Sequence, residues 1–102
     1  MKEKNKPTYK LDVIKLAFDD VGKLCMTATA MQGQYDLEFN DQDVVNAIQA
    51  LTSSDFHKSM TPIHAKFASW QDVYKSTFKE VELYIKFQVD NRGEMIISFK
   101  AK

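Results

Sequence analysis

One cysteine, two histidines, two prolines and three glycines are all that the 102 residues contain of the types that staple, ligate or punctuate a chain. The lone Cys25 excludes an internal disulfide, and together with His57 and His64 it makes no zinc-ligand spacing. Cys25 stands among small and apolar neighbours in "GKLCMTATA" and is expected as a buried core thiol. No stretch approaches the ~20 apolar residues of a membrane span. The basic start "MKEKNKPTYK" is followed by no apolar run, so it does not read as a signal peptide. Repeats, low-complexity tracts and a linker are missing as well. The expectation is one cytoplasmic domain, residues 1–102, with no cofactor, no structural metal and no membrane association, large enough for one hydrophobic core.

Net charge is also missing, since 14 Lys and Arg balance 14 Asp and Glu. The balance hides an asymmetry. Met1 to Asp55 carries six Lys against nine acids, and Phe56 to Lys102 carries eight Lys and Arg against five acids. A basic C-terminal half suits a phosphate-rich ligand. An imbalance of this size also arises without one.

What is present is periodicity. Residues 9–25, "YKLDVIKLAFDDVGKLC", carry Leu11, Ile14, Phe18 and Val21 at spacings of three and four, which predicts an amphipathic helix. "TATAMQGQYDLEF" is a weaker helical segment interrupted by Gly33. In "NDQDVVNAIQAL", Asn40 is placed to cap, Asp43 sits at the third helical position, and Val44, Val45, Ile48 and Leu51 form the apolar stripe. "TSSD" ends that helix. Beyond Asp55 the period becomes two. Trp70, Asp72 and Tyr74 share one side of "SWQDVYK", with Gln71, Val73 and Lys75 on the other. "VELYIKFQV" (81–89) and "EMIISFK" (94–100) alternate in the same way, and "DNRG" joins them as a hairpin. Helices first and strands after predict an α+β fold, with N-terminal helices packed on one face of a C-terminal antiparallel sheet.

The hairpin register follows from the alternation, because facing residues must share a face. A three-residue loop, Asn91-Arg92-Gly93, with Gly93 left-handed, satisfies this. It pairs Val89 with Met95, Phe87 with Ile97 and Ile85 with Phe99 on the core face. On the other face it pairs Gln88 with Ile96, Lys86 with Ser98, and Tyr84 with Lys100. A phenol and an ammonium opposed across an open sheet face form either an anion site or an ordinary cross-strand contact.

"SDFHKSMTP" (54–62) adds a histidine directly before a lysine. His57 is suited by its pKa to general base duty, and Lys58 to clamping a phosphate; both are also ordinary surface residue types. An unbroken strand over 56–60 would turn Lys58 toward the side of the core, so keeping it outside requires a loop or bulge there.

"SDFHKSMT", "WQDVY", "LYIKF" and "IISFKAK", in this order and with these gaps, resemble the MqsR (motility quorum-sensing regulator) family of toxins. The resemblance runs from about Pro7 onward and is closest after Asp55. It implies a RelE-like toxin fold and a ribosome-independent, metal-independent endoribonuclease that cuts single-stranded mRNA, preferring GC-containing triplets. It further implies a cognate antitoxin with a zinc-binding N-terminal part and a helix-turn-helix C-terminal part. The family's functional residues fall on Lys58, Gln71, Tyr84 and Lys100, two of which the derived register sets face to face. His57 stands where the family pattern has a tyrosine, and an imbalance-free total charge stands where such toxins tend to be basic. An imidazole also stacks on a base, which makes His57 a candidate RNA-binding residue. For metal-free RNA cleavage, Lys58 and Lys100 suit charge stabilisation or general base duty, Tyr84 acid or donor duty, and Gln71 positioning. The competing expectation is a non-catalytic RNA-binding or interaction module of the same fold.

Overall fold

The computed structural model describes residues 2–61 and 69–102, so His64 and Lys66 lie outside the described residues. Five antiparallel strands form one sheet in the order of the chain: β1 (Glu3–Lys4), β2 (Phe56–Met60), β3 (Gln71–Phe78), β4 (Val81–Val89) and β5 (Met95–Ala101). Three helices, α1 (Leu11–Ala17), α2 (Ala28–Asp36) and α3 (Asp41–Gln49), lie between β1 and β2 in sequence. The fold is α+β, with the helices on one face of the sheet.

Alternation builds that face. Leu83, Ile85 and Phe87 of β4 and Ile97 and Phe99 of β5 are at most 4% exposed and share the core with Ile14, Ala30, Val44, Ala47 and Ile48 of the helices and with Phe18 and Leu51 just beyond the ends of α1 and α3. A row of rings crosses the core, Phe18 to Phe87 to Tyr74 to Phe56, with centroids 6.0, 5.8 and 5.5 Å apart. The last two contacts are edge-on, the geometry that the ring quadrupole favours. The β4–β5 register is the one derived from the sequence at all six pairs, from Tyr84 opposite Lys100 to Val89 opposite Met95. Gly93 has φ +83°, and its N–H donates to the Asp90 carbonyl, closing the loop.

The helices depart from expectation at α1. Its pattern of apolar residues runs to Val21, but the helix stops at Ala17. Gln49 of α3 donates its side-chain amide to the carbonyls of Lys15 and Phe18 at 2.7 and 3.1 Å, satisfying groups that a longer helix would have used. Asp20 is extended and accepts from the Gly22 N–H, starting a short 3₁₀ turn at Val21–Lys23. Val21 is thereby left 40% exposed. Cys25 is half-buried and outside the core, since its segment runs beside β5, where its carbonyl accepts from the Ile97 N–H. In α3 the expected capping box is present: Asn40 accepts from the Asp43 N–H, and Asp43 accepts from the Asn40 N–H. Gly33 lets α2 lie against β5, since a Cβ there would stand 3.0 Å from the Phe99 carbonyl oxygen.

Asp72 is fully buried on the core face and accepts backbone N–H groups of Thr8 and Tyr9 at 2.9–3.0 Å. The Tyr9 hydroxyl donates to the Trp70 carbonyl, and Lys4 lies 4.2 Å from the Trp70 ring. These contacts fasten the N-terminal segment across the sheet and set β1 beside β2.

The β3–β4 turn holds Lys79 and Glu80 at φ 50° and 66°. An L-residue in this region costs on the order of 1 kcal/mol. Lys79 is compensated by an ion pair to Asp43 at 2.7 Å, and no such pair holds Glu80 among the described residues. Glu80→Gly is therefore expected to stabilise the fold by about 0.5–1 kcal/mol and raise Tm by a few degrees, measured by thermal unfolding.

Candidate active site

The sheet face away from the helices holds Lys58, Gln71, Tyr84 and Lys100. The pairings arrange it as a grid. One row runs Met60, Gln71, Gln88, Ile96; the next runs Lys58, Val73, Lys86, Ser98; the third runs Lys75, Tyr84, Lys100. Lys58, Gln71, Tyr84 and Lys100 thus share one surface, each contributed by a different strand.

Lys58 reaches this face through an irregularity. Phe56 opposes Tyr74 and Lys58 opposes Val73, so His57 is an extra residue with no partner of its own. Such a bulge keeps Phe56 against the Tyr74 ring and Ser59 beside Asp72, both inward, while Lys58 turns outward. Of the loop or bulge needed to reconcile a strand here with the resemblance, the structure has the bulge. Lys58 Nζ is bonded to Glu3 Oε1 of β1, with the lysine side chain 31% exposed. This hydrogen bond, and the Lys58 charge behind it, hold the Glu3 carboxyl below its ordinary range.

Lys75, Lys86 and Lys100 form no ion pair among the described residues. Lys75 Nζ lies 5.3 Å from the centroid of the Tyr84 ring. Burial, then the charges of Lys100 and Lys58, lower the Lys86 pKa. Gln88, beside Gln71, is 7% exposed, and its Nε2 has no partner among the described residues. Tyr74 is the other phenol of this region, but it faces the core, and burial followed by the Asp72 charge pushes it up to about 12. Arg92, the chain's one arginine, is bonded to Asp90 and Glu94 in the hairpin loop, away from this face.

Sequence reading placed Tyr84 and Lys100 together, and the resemblance supplied Lys58 and Gln71. It missed Glu3, Lys75 and Lys86 as members of the cluster. Lys86 was legible as outward-facing from "LYIKF", yet its place beside Lys58 depends on the β2–β3–β4 pairing, which sequence reading did not derive.

Lysines gathered on one sheet face with a phenol and amides are the groups that suit a polyanionic ligand. Comparison with known proteins gives that class a family. The family described as motility quorum-sensing regulator, toxin of MqsA, matches residues 6–101. The mRNA interferase toxin MqsR of Escherichia coli (strain K12) is 32% identical over 100 residues, covering 98% of this chain and 99% of that protein. The chain belongs to the MqsR toxin family and is an endoribonuclease of that family.

The His57 pKa is lowered, first by partial desolvation and then by the charges of Lys75 and Lys58, with Glu3 opposing. A base whose folded pKa is depressed contributes stability that is present above its unfolded value of about 6.5 and is lost as pH falls through the lower, folded value. The shift favours the neutral imidazole. A titration followed by NMR is expected to place its midpoint below 6.5, and Lys75→Ala to move it part of the way back up.

Proposed function

We propose that this protein cleaves single-stranded mRNA on the open face of the sheet, using its own side chains and no metal ion, independently of the ribosome. The observation that carries the reading is the sharing of one surface by Lys58, Gln71, Tyr84 and Lys100. The printed name of the E. coli relative supports mRNA as the substrate. Single strands suit a flat face, because unstacked bases lie open to side chains.

In this mechanism the 2′-oxygen attacks the adjacent phosphorus and the P–O5′ bond breaks. A lysine amine of the cluster takes the 2′ proton, and Tyr84 gives a proton to the departing 5′-oxygen. The remaining ammonium groups stabilise the charge that grows on the phosphoryl oxygens, commonly the largest single contribution. Gln71 positions the phosphate, and neutral His57 stacks on a base. Products are a 2′,3′-cyclic phosphate and a 5′-hydroxyl. Cleavage of a defined RNA is expected to persist in EDTA with these ends; 3′-hydroxyl ends or a strict Mg²⁺ requirement would refute the mechanism.

The same assay separates chemistry from folding. Tyr84→Phe and Lys100→Ala are expected to slow cleavage by orders of magnitude while changing stability by roughly 0.5 kcal/mol or less. Phe87→Ala, at a core position with no exposed surface, is expected to cost about 3–5 kcal/mol and to leave the activity of the folded fraction intact. Wild-type rates in both Tyr84→Phe and Lys100→Ala would place the site elsewhere.

The family's description as toxin of MqsA supports a partner antitoxin that neutralises this chain in the cytoplasm. We assign that partner a zinc-binding part and a helix-turn-helix part. Growth arrest on expression, relieved by co-expressing the neighbouring gene, is the expected result. Unrelieved arrest would count against the pairing.

A further inference from the structure

Position 86 is the centre of the grid. Along β4 its outward neighbours are Tyr84 and Gln88. Across the ladder to β3 it opposes Val73, with Gln71 and Lys75 on the diagonals. Across to β5 it opposes Ser98, with Lys100 on a diagonal. Diagonal neighbours stand roughly 7–8 Å apart at the backbone, within reach of long side chains. Lys58 lies in the same row, one strand beyond Val73. Two strand spacings are roughly 10 Å, which two flexible lysine stems span with room for an anion between their heads. Val73 is 2% exposed and forms an apolar floor there. All four residues assigned to the reaction thus lie around Lys86, which the hairpin register had placed outward opposite Ser98 without a role.

We propose that Lys86 is a further catalytic residue, its ammonium seated on the scissile phosphate at the centre of the ring formed by Lys58, Gln71, Tyr84 and Lys100. This assignment rests on the RNA-cleaving reading above. Lys86 stays protonated throughout and forms no covalent bond. The 2′-oxygen bonds to phosphorus, the 5′-oxygen leaves with the electron pair, and Lys86 holds the phosphoryl oxygens as their charge grows. Among the described residues, the charged and titratable groups around it are Lys58 with Glu3 and His57 from the β1–β2 side, Lys75 from β3, Tyr84 on its own strand and Lys100 from β5. Glu3 is the only one of these that is acidic at neutral pH, and it is bonded to Lys58. Lys75, Lys86 and Lys100 share this face with no carboxylate partner among the described residues, so their charges oppose one another in the free protein. Burial, then the charges of Lys100 and Lys58, lower the Lys86 pKa, and a phosphate seated on Lys86 relieves that repulsion.

The test uses Lys86→Gln and Lys86→Arg in the full chain, assayed for cleavage of a defined single-stranded RNA. Binding is measured in parallel to the same RNA carrying 2′-O-methyl groups, which cannot be cleaved. Lys86→Gln is expected to lower kcat about 100-fold and to flatten the dependence of log affinity on log salt by about 0.7. Its Tm is expected to be equal to or above that of the wild type, because a like-charge conflict has been removed; a merely structural lysine would lower it. Lys86→Arg, which keeps the charge, is expected to cleave within about 10-fold of wild type. Wild-type cleavage by Lys86→Gln overturns the assignment. So does an arginine variant as slow as the glutamine one, since that would mean the position needs a removable proton. If Lys58→Ala is inactive while Lys86→Gln is not, only Lys86 is wrongly assigned. If the wild type itself cuts no RNA, the functional reading falls and takes this assignment with it.

Discussion

Leu83, Ile85 and Phe87 must all reach the helices, and a strand alternates its faces, so Tyr84, Lys86 and Gln88 are forced onto the opposite side. The rest of the molecule depends on this constraint. Slipping β4 by one residue would expose three core side chains and bury a lysine, so the register is held from both faces at once. β3 and β5 inherit it through their ladders, and β2 inherits it from β3. The position of Lys58 on β2, three strands from β5 at the other edge of the candidate site, is therefore decided by the apolar packing of β4. Hydrophobic burial, which has no direction of its own, becomes directional once imposed on a pleated strand.

The face that results is unusual in its choice of cation. The single arginine is tied into the β4–β5 loop by Asp90 and Glu94, leaving the open face to lysines. An ammonium is a compact point charge without the planar fork that fixes a guanidinium on one phosphate geometry. A face of lysines suits a ligand whose phosphate changes shape, from tetrahedral to five-coordinate and back. It also leaves the free protein with unrelieved repulsion, offset in part by Glu3 beside Lys58 and by the core beneath.

The β4–β5 hairpin was legible to the residue because its alternation is gapless on both strands and Gly93 marks the loop. The capping box of α3 was legible because Asn40 and Asp43 act locally. Features set by distant partners were not. The end of α1 depends on Gln49, more than thirty residues away in sequence. β1 consists of two polar residues, and it is visible as a strand only once Asp72 has fastened Thr8 and Tyr9. The Lys79–Glu80 turn carries neither the glycine nor the asparagine that announces such turns. For the candidate site, Tyr84 opposite Lys100 followed from local pattern. Lys58 and Gln71 came from likeness to a family, and the places of Lys75 and Lys86 had to await the pairing of β2, β3 and β4.

The bulge at position 57 bears on how this chain tolerates change in length. Elsewhere in a paired strand, losing one residue reverses every side chain beyond the cut. His57 is already outside the count, so deleting it would close the ladder with Phe56 still opposite Tyr74, Lys58 still opposite Val73 and Ser59 still opposite Asp72. The sheet would become more regular. The pairing of β2 with β3 therefore tolerates a one-residue loss at position 57, where the same loss at Lys58 or Ser59 would turn the rest of the strand over.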